Sequence, residues 1–196
     1  MNSLNDSDSI SLYHRYMIRV YGSQSSRALG WLDEESQNIR FKALAGLGNM
    51  NSHSVLDAGC GYGDFREIYP DATYIGIEQI SEMLEEAINR YGHLPQTTFI
   101  PGNFNTIALP LTDYVVASGS LNYKSEDPQY IFKAISTLFN SCRLGLGFNL
   151  LNKIIPNELI VAYDPVQIMD YCASICREVK LTSDYSDEDF TIYMYR

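Results

Sequence analysis

The run of residues 55–64, Val-Leu-Asp-Ala-Gly-Cys-Gly-Tyr-Gly-Asp, constrains the fold more than any other part of the chain. A short aliphatic stretch ends in Asp57, and three glycines follow at alternate positions. A second apolar stretch, residues 74–77, ends in Glu78. Such runs are typical of buried parallel strands, and glycines let bare backbone approach a ligand. Since an acid at the next strand tip can accept hydrogen bonds from ribose hydroxyls, the pattern predicts a nucleoside-type ligand across two strand ends.

The chemistry of the loop distinguishes between two ligands. A dinucleotide site usually has G-x-G-x-x-G, whereas this chain has G-x-G-x-G with Asp64 in place of the third glycine. Asp57 also precedes the first glycine. Acids here would repel a pyrophosphate and attract the ammonium and sulfonium of S-adenosylmethionine (SAM). A turn without a ligand explains one glycine but not the ordered set, so the loop favours SAM over a nicotinamide cofactor.

Strands and helices alternate after residue 50, which is typical of a parallel sheet with helices on both faces. The patterns predict strands near residues 54–58, 73–78, 97–100, 113–118 and 143–149. They predict helices near 33–47, 63–68, 80–91, 126–140 and 165–177. The polar residues 1–9 are expected to be loose.

The C-terminus breaks this alternation. Residues 179–185 and 190–195 read as strands joined by the turn 186–189, and so short a connection makes them antiparallel. The fold class predicted is α/β: a three-layer, Rossmann-like, mostly parallel seven-stranded sheet that ends in an antiparallel hairpin. Residues 1–50 are expected to form a helical lid and 51–196 the ligand-binding domain of one globular unit.

The composition of the chain limits the classes of molecule that it can bind. The chain of 196 residues has 14 basic and 24 acidic residues, a net charge of −10, which disfavours nucleic acid. The four cysteines lack metal or disulfide spacing, so no metal is expected. No apolar run is long enough for a membrane span and no signal pattern is seen, so the cytoplasm is the expected location. The oligomeric state stays open.

The motifs together resemble those of class I SAM-dependent methyltransferases, over about residues 50–196. Residues 55–63 are similar to the family's first motif, Glu78 to the acid of the second, 99–104 to the segment after the third strand, and 113–123 to the fourth. The C-terminal hairpin agrees with this resemblance. The N-terminal segment of the chain resembles that of small bacterial methyltransferases of unassigned substrate, at Tyr21-Gly22 and at residues 28–31 and 37–41.

The resemblance implies a site that binds the cofactor SAM and releases the product S-adenosylhomocysteine. Asn103 occupies the position from which an acid or amide usually contacts the adenine amino group in this family. Gln79 and Ile80 are expected to lie along the edge and face of the adenine ring. The residues predicted to bind the cofactor are Arg40, Asp57, Gly59, Cys60, Gly61, Gly63, Glu78, Gln79, Ile80, Asn103, Phe104, Ser118 and Gly119.

Arg40 lies on the mostly apolar face of the helix predicted over 33–47, level with the glycine loop by the rise per residue of helix and strand. A partly buried guanidinium needs an anion. The methionine carboxylate of SAM is one candidate, and an internal ion pair with Asp57, Asp64 or another acid is the alternative.

Few residues can act as a general base. His14 lies in the expected lid and Tyr123 just past the fourth strand, and these two are the candidate catalytic residues. His53 and His93 are expected to face away. The aromatic residues of the lid either line a substrate pocket or anchor the lid by packing; they are Tyr13, Tyr16, Tyr21 and Trp31.

The substrate expected is a small molecule or short peptide with an N, O or C acceptor. The fourth strand does not end in the Asn/Asp-Pro-Pro-Tyr run of nucleobase methylases but in residues 118–121, Ser-Gly-Ser-Leu. Two other functions stay open: a SAM-binding regulator or assembly subunit without turnover, and a NAD-dependent oxidoreductase.

Overall fold

A computed structural model describes residues 6–154 and 159–196, and a seven-stranded β-sheet lies at its centre. The strands are β1 (Ser54–Ala58), β2 (Thr73–Glu78), β3 (Thr97–Pro101), β4 (Thr112–Ala117), β5 (Cys142–Leu151), β6 (Glu178–Thr182) and β7 (Asp189–Tyr195). Their spatial order is β3-β2-β1-β4-β5-β7-β6. The first five strands are parallel, and β7 pairs antiparallel with β5 and β6. The predicted fold class is confirmed.

Five α-helices flank the sheet. They are α1 (Asp6–Tyr21), α2 (Glu34–Ala45), α3 (Ser81–Tyr91), α4 (Tyr130–Asn140) and α5 (Pro165–Ile175), with 3₁₀ turns at Ser26–Leu29 and Asp64–Ile68. Local chemistry explains where two of them begin. Asp33 and Ser36 form a reciprocal capping box at α2, with the Asp33 carboxylate accepting from the Ser36 amide at 2.8 Å. Asp164 caps α5, whose first residue is a proline.

One prediction near the N-terminus is wrong, and the short helix predicted over residues 63–68 is present as a 3₁₀ helix. Residues 6–9 were expected to be loose but form the first turn of α1, because acids at a helix N-terminus are stabilised by its dipole. The Asp6 carboxylate also accepts a hydrogen bond from the Ser125 hydroxyl at 2.6 Å. Residues 1–5 lie outside the described residues. The segment after Gly63 is a 3₁₀ turn, which has fewer free N–H groups to offer than an α-helix.

Two predicted boundaries also shift. The helix expected from residue 126 begins at Tyr130, because the Asp127 carboxylate accepts from the Gln129 amide at 2.9 Å and holds a turn before it. Strand β6 ends at Thr182 rather than near 185, and the Thr182 hydroxyl donates to Asp184 in the connection that follows.

The core has a layer on each face of the sheet. On one face, α4 and α5 pack residues such as Ile135, Leu138 and Ile168 against the central strands. On the other face, α2 packs Phe41 and Leu44. A third, smaller cluster joins the Ser26–Leu29 turn to Ile80 and Met83, with side chains of α1 packed on it. The chain order reverses direction at β1, so the carboxyl ends of β1 and β4 open a crevice there. No described helix is long and apolar enough to cross a membrane.

Candidate active site

A cavity of about 770 Å³ lies at the carboxyl ends of β1, β2 and β4, beneath α1 and the Ser26–Leu29 turn. Its size is in the range of small-molecule and cofactor sites. It is lined by every predicted cofactor residue except Gly63, and by both candidate catalytic residues. The structure thus brings the predicted residues together around one cavity although they lie far apart in the chain, and their roles stay predictions.

The glycine loop gives this cavity its floor. Gly59 and Gly61 both have positive φ, +78° and +56°. A Cβ on Gly59 would come within 2.5 Å of the Ser120 Cβ, and one on Gly61 within 2.7 Å of Leu29 Cδ2. At Gly59 only glycine fits both the backbone conformation and the space, and at Gly61 the positive φ favours glycine. Gly63 does not line the cavity, because it packs under the rings of Phe99 and Tyr91.

Glu78 is buried at the tip of β2, and both of its carboxylate oxygens accept backbone hydrogen bonds. One accepts from the Gly61 amide at 3.0 Å and the other from the Ile80 amide at 2.8 Å. Burial raises the pKa of this carboxyl, and the backbone amides of Ile80, Gly61 and Gln79 act in the opposite direction. The contacts fix Glu78 against the glycine loop and leave each oxygen a lone pair for a ligand hydroxyl.

Asp57, at the carboxyl end of β1, is the second buried acid. It accepts a hydrogen bond from the Tyr74 hydroxyl at 2.7 Å. The pKa of Asp57 is raised to about 7, chiefly by burial; the Tyr74 hydroxyl lowers it, and the nearby acids Glu78 and Asp64 raise it. A buried acid of this kind is stabilised in its charged form by a cation, which is what the ammonium of SAM offers.

The β2–β3 side of the cavity is a mixed polar and apolar surface. Ser7 of α1 donates to the Gln79 side-chain oxygen at 2.9 Å, which ties the lid to the strand end. Asn103 accepts from the Asn105 amide at 2.9 Å, so its side-chain oxygen is held in a turn. Ile80 and Phe104 are buried beside them. An adenine ring fits between apolar side chains and such amide groups.

The β4–β5 side carries Trp31. The position that a Cβ on Gly119 would take is 2.6 Å from Trp31 Cη2, so the indole lies directly on this glycine. Ser118 donates to the Asn149 side-chain oxygen at 3.0 Å. Of the four lid aromatic residues, Tyr13 and Trp31 line the cavity, whereas Tyr16 and Tyr21 are exposed, so for those two the prediction of a pocket wall is wrong.

Arg40 forms an internal ion pair with Asp189, at the start of β7. It also donates to the Ser36 carbonyl at 2.6 Å, and its guanidinium lies 5.1 Å from the Trp31 ring centre. The partner is an acid other than Asp57 and Asp64; Asp64 instead pairs with Arg90 at 2.8 Å. Arg40 also lines the cavity, so a role in binding the carboxylate of SAM stays a prediction.

His14 and Tyr123, the two candidate catalytic residues, are hydrogen-bonded to each other. His14 Nε2 lies 2.5 Å from the Tyr123 hydroxyl, and His14 Nδ1 lies 2.9 Å from the Ala28 carbonyl. Burial lowers the pKa of His14. His53 and His93 are outside the cavity lining.

Comparison with known proteins agrees with this geometry. A family model described as a methyltransferase domain matches residues 55–141. Among solved structures, the DhpI–SAM–HEP complex superposes with a TM-score of 0.72 at 13% identity, over 100% of both chains. Magnesium protoporphyrin IX methyltransferase from Synechocystis PCC 6803 with bound SAM gives 0.71 at 17% identity, over 100% of this chain and 99% of that one. The N-methyltransferase NodS from Bradyrhizobium japonicum WM9 with S-adenosylhomocysteine gives 0.67 at 14%, over 98% of both. No curated protein matches the sequence.

Residues 55–141 of this chain match a methyltransferase domain, and the chain as a whole shares the fold of the SAM- and S-adenosylhomocysteine-bound structures. At such low sequence identities the solved structures show only that the fold is shared. The family model covers strand β1 and the glycine loop, which lie at the centre of the candidate site. The glycine cradle and the two buried acids fit SAM. The site therefore fits the SAM expected from the sequence, and nothing in the comparisons supports a regulator without turnover or an oxidoreductase.

Sequence analysis missed several residues of the cavity wall. They line the cavity from β5, β7 and the loops beside them: Asn149, Lys153, Tyr185, Ser186 and Asp189. The position of these residues in the sequence could have indicated them, because polar residues at the carboxyl end of β5 lie at the same edge of the sheet as the glycine loop. Asp189 carried no such signal, because it starts an antiparallel strand. The described residues contain no group of three or more His, Cys, Asp or Glu side chains placed to hold a metal ion.

Proposed function

We propose that the cavity binds SAM along the ends of β1, β2 and β4 and presents the methyl group toward Trp31 and Tyr123. Glu78 binds the ribose hydroxyls, Asp57 attracts the ammonium group, and Gly59 and Gly61 let the backbone approach the cofactor. Support comes mainly from one observation. Glu78 is buried at the cavity wall with a backbone donor on each oxygen and a lone pair left on each.

Bound SAM supplies an activated methyl group on its sulfonium. The chain's own residues then have two tasks: they align the acceptor with that methyl group and they exclude water. The lid supports the second task, because α1 and the Ser26–Leu29 turn cover the cavity. Residues 1–50 are proposed to form this lid and 51–196 the SAM-binding domain.

The acceptor is proposed to enter between the aromatic side chains of Tyr13 and Trp31. The names of the similar structures include a magnesium protoporphyrin IX methyltransferase and an N-methyltransferase. Because these names describe different acceptors, the shared fold does not choose among them, and the choice must come from this chain's own residues. The cytoplasm, where SAM is made and thiols stay reduced, is the proposed location.

Calorimetry tests the cofactor assignment directly. SAM and S-adenosylhomocysteine are titrated into the purified chain, with NAD as the competing ligand. We expect both SAM-type ligands to bind and NAD not to bind. Binding of NAD without binding of SAM would overturn the proposal. Conversion of SAM to S-adenosylhomocysteine with a panel of small molecules then separates an enzyme from a regulator.

A further inference from the structure

His14 of α1 and Tyr123, which follows β4, form a hydrogen-bonded pair across 109 residues of chain. His14 Nε2 and the Tyr123 hydroxyl oxygen are 2.5 Å apart, and the His14 side chain is only 5% exposed. Both residues line the cavity. The backbone of the neighbouring Asn122 is fixed by the Val161 amide at 2.8 Å. Tyr123 is therefore held in one place at the wall of the acceptor side.

The partners of the imidazole determine where its proton lies. Nδ1 faces the Ala28 carbonyl at 2.9 Å, and a carbonyl can only accept, so Nδ1 carries the hydrogen. Nε2 of the neutral ring is then an acceptor, and the Tyr123 hydroxyl donates to it. Burial lowers the pKa of His14 and so favours this neutral ring. The Tyr123 oxygen keeps lone pairs that can accept a proton from a molecule in the cavity.

We propose that Tyr123 and His14 form a proton relay, and that the acceptor of this methyltransferase is a hydroxyl group on an aromatic ring. This inference rests on the proposed function. The acceptor hydroxyl passes its proton to the Tyr123 oxygen while the Tyr123 proton moves to His14 Nε2. The acceptor oxygen forms its bond to the methyl carbon as the carbon–sulfur bond breaks, and the sulfur keeps that electron pair. The imidazolium later releases its proton to water.

A relay of this kind selects among acceptor atoms. A neutral amine can attack before it loses a proton, and a carboxylate is already ionised near pH 7, so neither needs a base. A hydroxyl is a poor nucleophile until its proton is removed. A ring hydroxyl is acidic enough for a histidine-linked relay, and two further aromatic side chains, Tyr13 and Trp31, line the same cavity as Tyr123.

Several charged and titratable groups lie around the pair. The described groups that act electrostatically on Tyr123 are Tyr13, Glu78 and Tyr130. The cations Lys124, Lys153 and Arg40 line the same cavity. An imidazolium formed during the reaction is stabilised by the Ala28 carbonyl. Ala28 is therefore a positioning residue for the ring.

The first experiment examines the pair without turnover. The chain has three histidines, so ¹⁵N-imidazole NMR can resolve His14 by comparison with His14→Asn. We expect a neutral ring at pH 7 with the proton on Nδ1, and a shift of the Nε2 resonance in Tyr123→Phe. A proton on Nε2, or an imidazolium at pH 7, would overturn the relay.

The second experiment compares phenols with anilines of the same ring skeleton, with SAM in excess and formation of S-adenosylhomocysteine as the readout. We expect turnover of phenols only. Tyr123→Phe should lower kcat by about 10²–10⁴-fold with KM nearly unchanged, and His14→Asn should abolish the acidic limb of the pH–rate profile. The exposed His93→Gln is the matched control and should keep wild-type rates.

The outcomes separate the two proposals. Turnover of anilines at rates that Tyr123→Phe leaves unchanged would overturn the relay, and so would the failure of every phenol. In either case, SAM binding by calorimetry would leave the proposed cofactor site intact. Loss of SAM binding in the wild-type chain would instead overturn the proposed function itself.

Discussion

Replacement of Glu78 by glutamine is the sharpest test of the cofactor site. The variant keeps the size of the side chain but turns one oxygen into an NH₂ group. Because the two oxygens accept from the Gly61 and Ile80 amides, that NH₂ group must either face a backbone donor or break the contact. The ribose also loses a charge-assisted hydrogen bond, which contributes about 1–3 kcal/mol. We therefore expect SAM to bind about 5- to 150-fold more weakly.

Calorimetric titration of SAM measures this change, and Glu85→Gln on the exposed face of α3 is the matched control. The control should bind SAM like the wild-type chain. Thermal unfolding of both variants shows that they are folded. A SAM dissociation constant that stays within about twofold of the wild-type value, in a folded Glu78→Gln variant, would remove Glu78 from the ribose.

Three further predictions concern the buried charges and the loop. The pKa of Asp57 is raised from 3.8 to about 7 in the folded state, so the unfolded chain loses this proton at a lower pH than the folded chain does. The free energy of unfolding, measured by urea titration, should therefore fall as pH rises from about 4 to about 7. Asp57→Asn should make the free energy of unfolding less dependent on pH over this range. Arg40→Ala leaves the Asp189 carboxylate buried without its cation and should cost about 3–5 kcal/mol of unfolding free energy; a loss below about 1 kcal/mol would contradict it. Gly61→Val should abolish SAM binding by calorimetry, because a β-branched residue is strained at φ +56° and its side chain would displace Leu29, whereas Gly22→Ala, with positive φ but open space, should bind normally.

Much of the fold could be predicted because its signals are local. The glycine loop, the acid at the tip of β2 and the C-terminal hairpin each lie within a short stretch of chain. The helix boundaries that differ depend on single side chains, such as the turn that Asp127 holds before α4. Pattern alone does not show which of several possible caps the chain uses.

The contacts of the site were harder to predict because they join distant segments. Arg40 was expected to meet an anion, but its partner Asp189 lies 149 residues away. His14 and Tyr123 were each proposed from their position relative to the sheet, whereas their contact depends on how α1 crosses the cavity. Residue type and spacing give the chemistry of such side chains, and only the tertiary packing gives their partners.

Helix α1 is attached to both sides of the crevice, and this has a consequence for turnover. Ser7 reaches the end of β2, Arg15 pairs with Glu82 of α3, and Asp6 accepts from Ser125 beyond β4. Each of these contacts is a weak polar interaction at or near the surface. Together they cross the opening of the cavity through which the product S-adenosylhomocysteine is expected to leave. We expect departure of that product to require their joint rupture, so that the first helix must move away from the cavity once in every catalytic cycle.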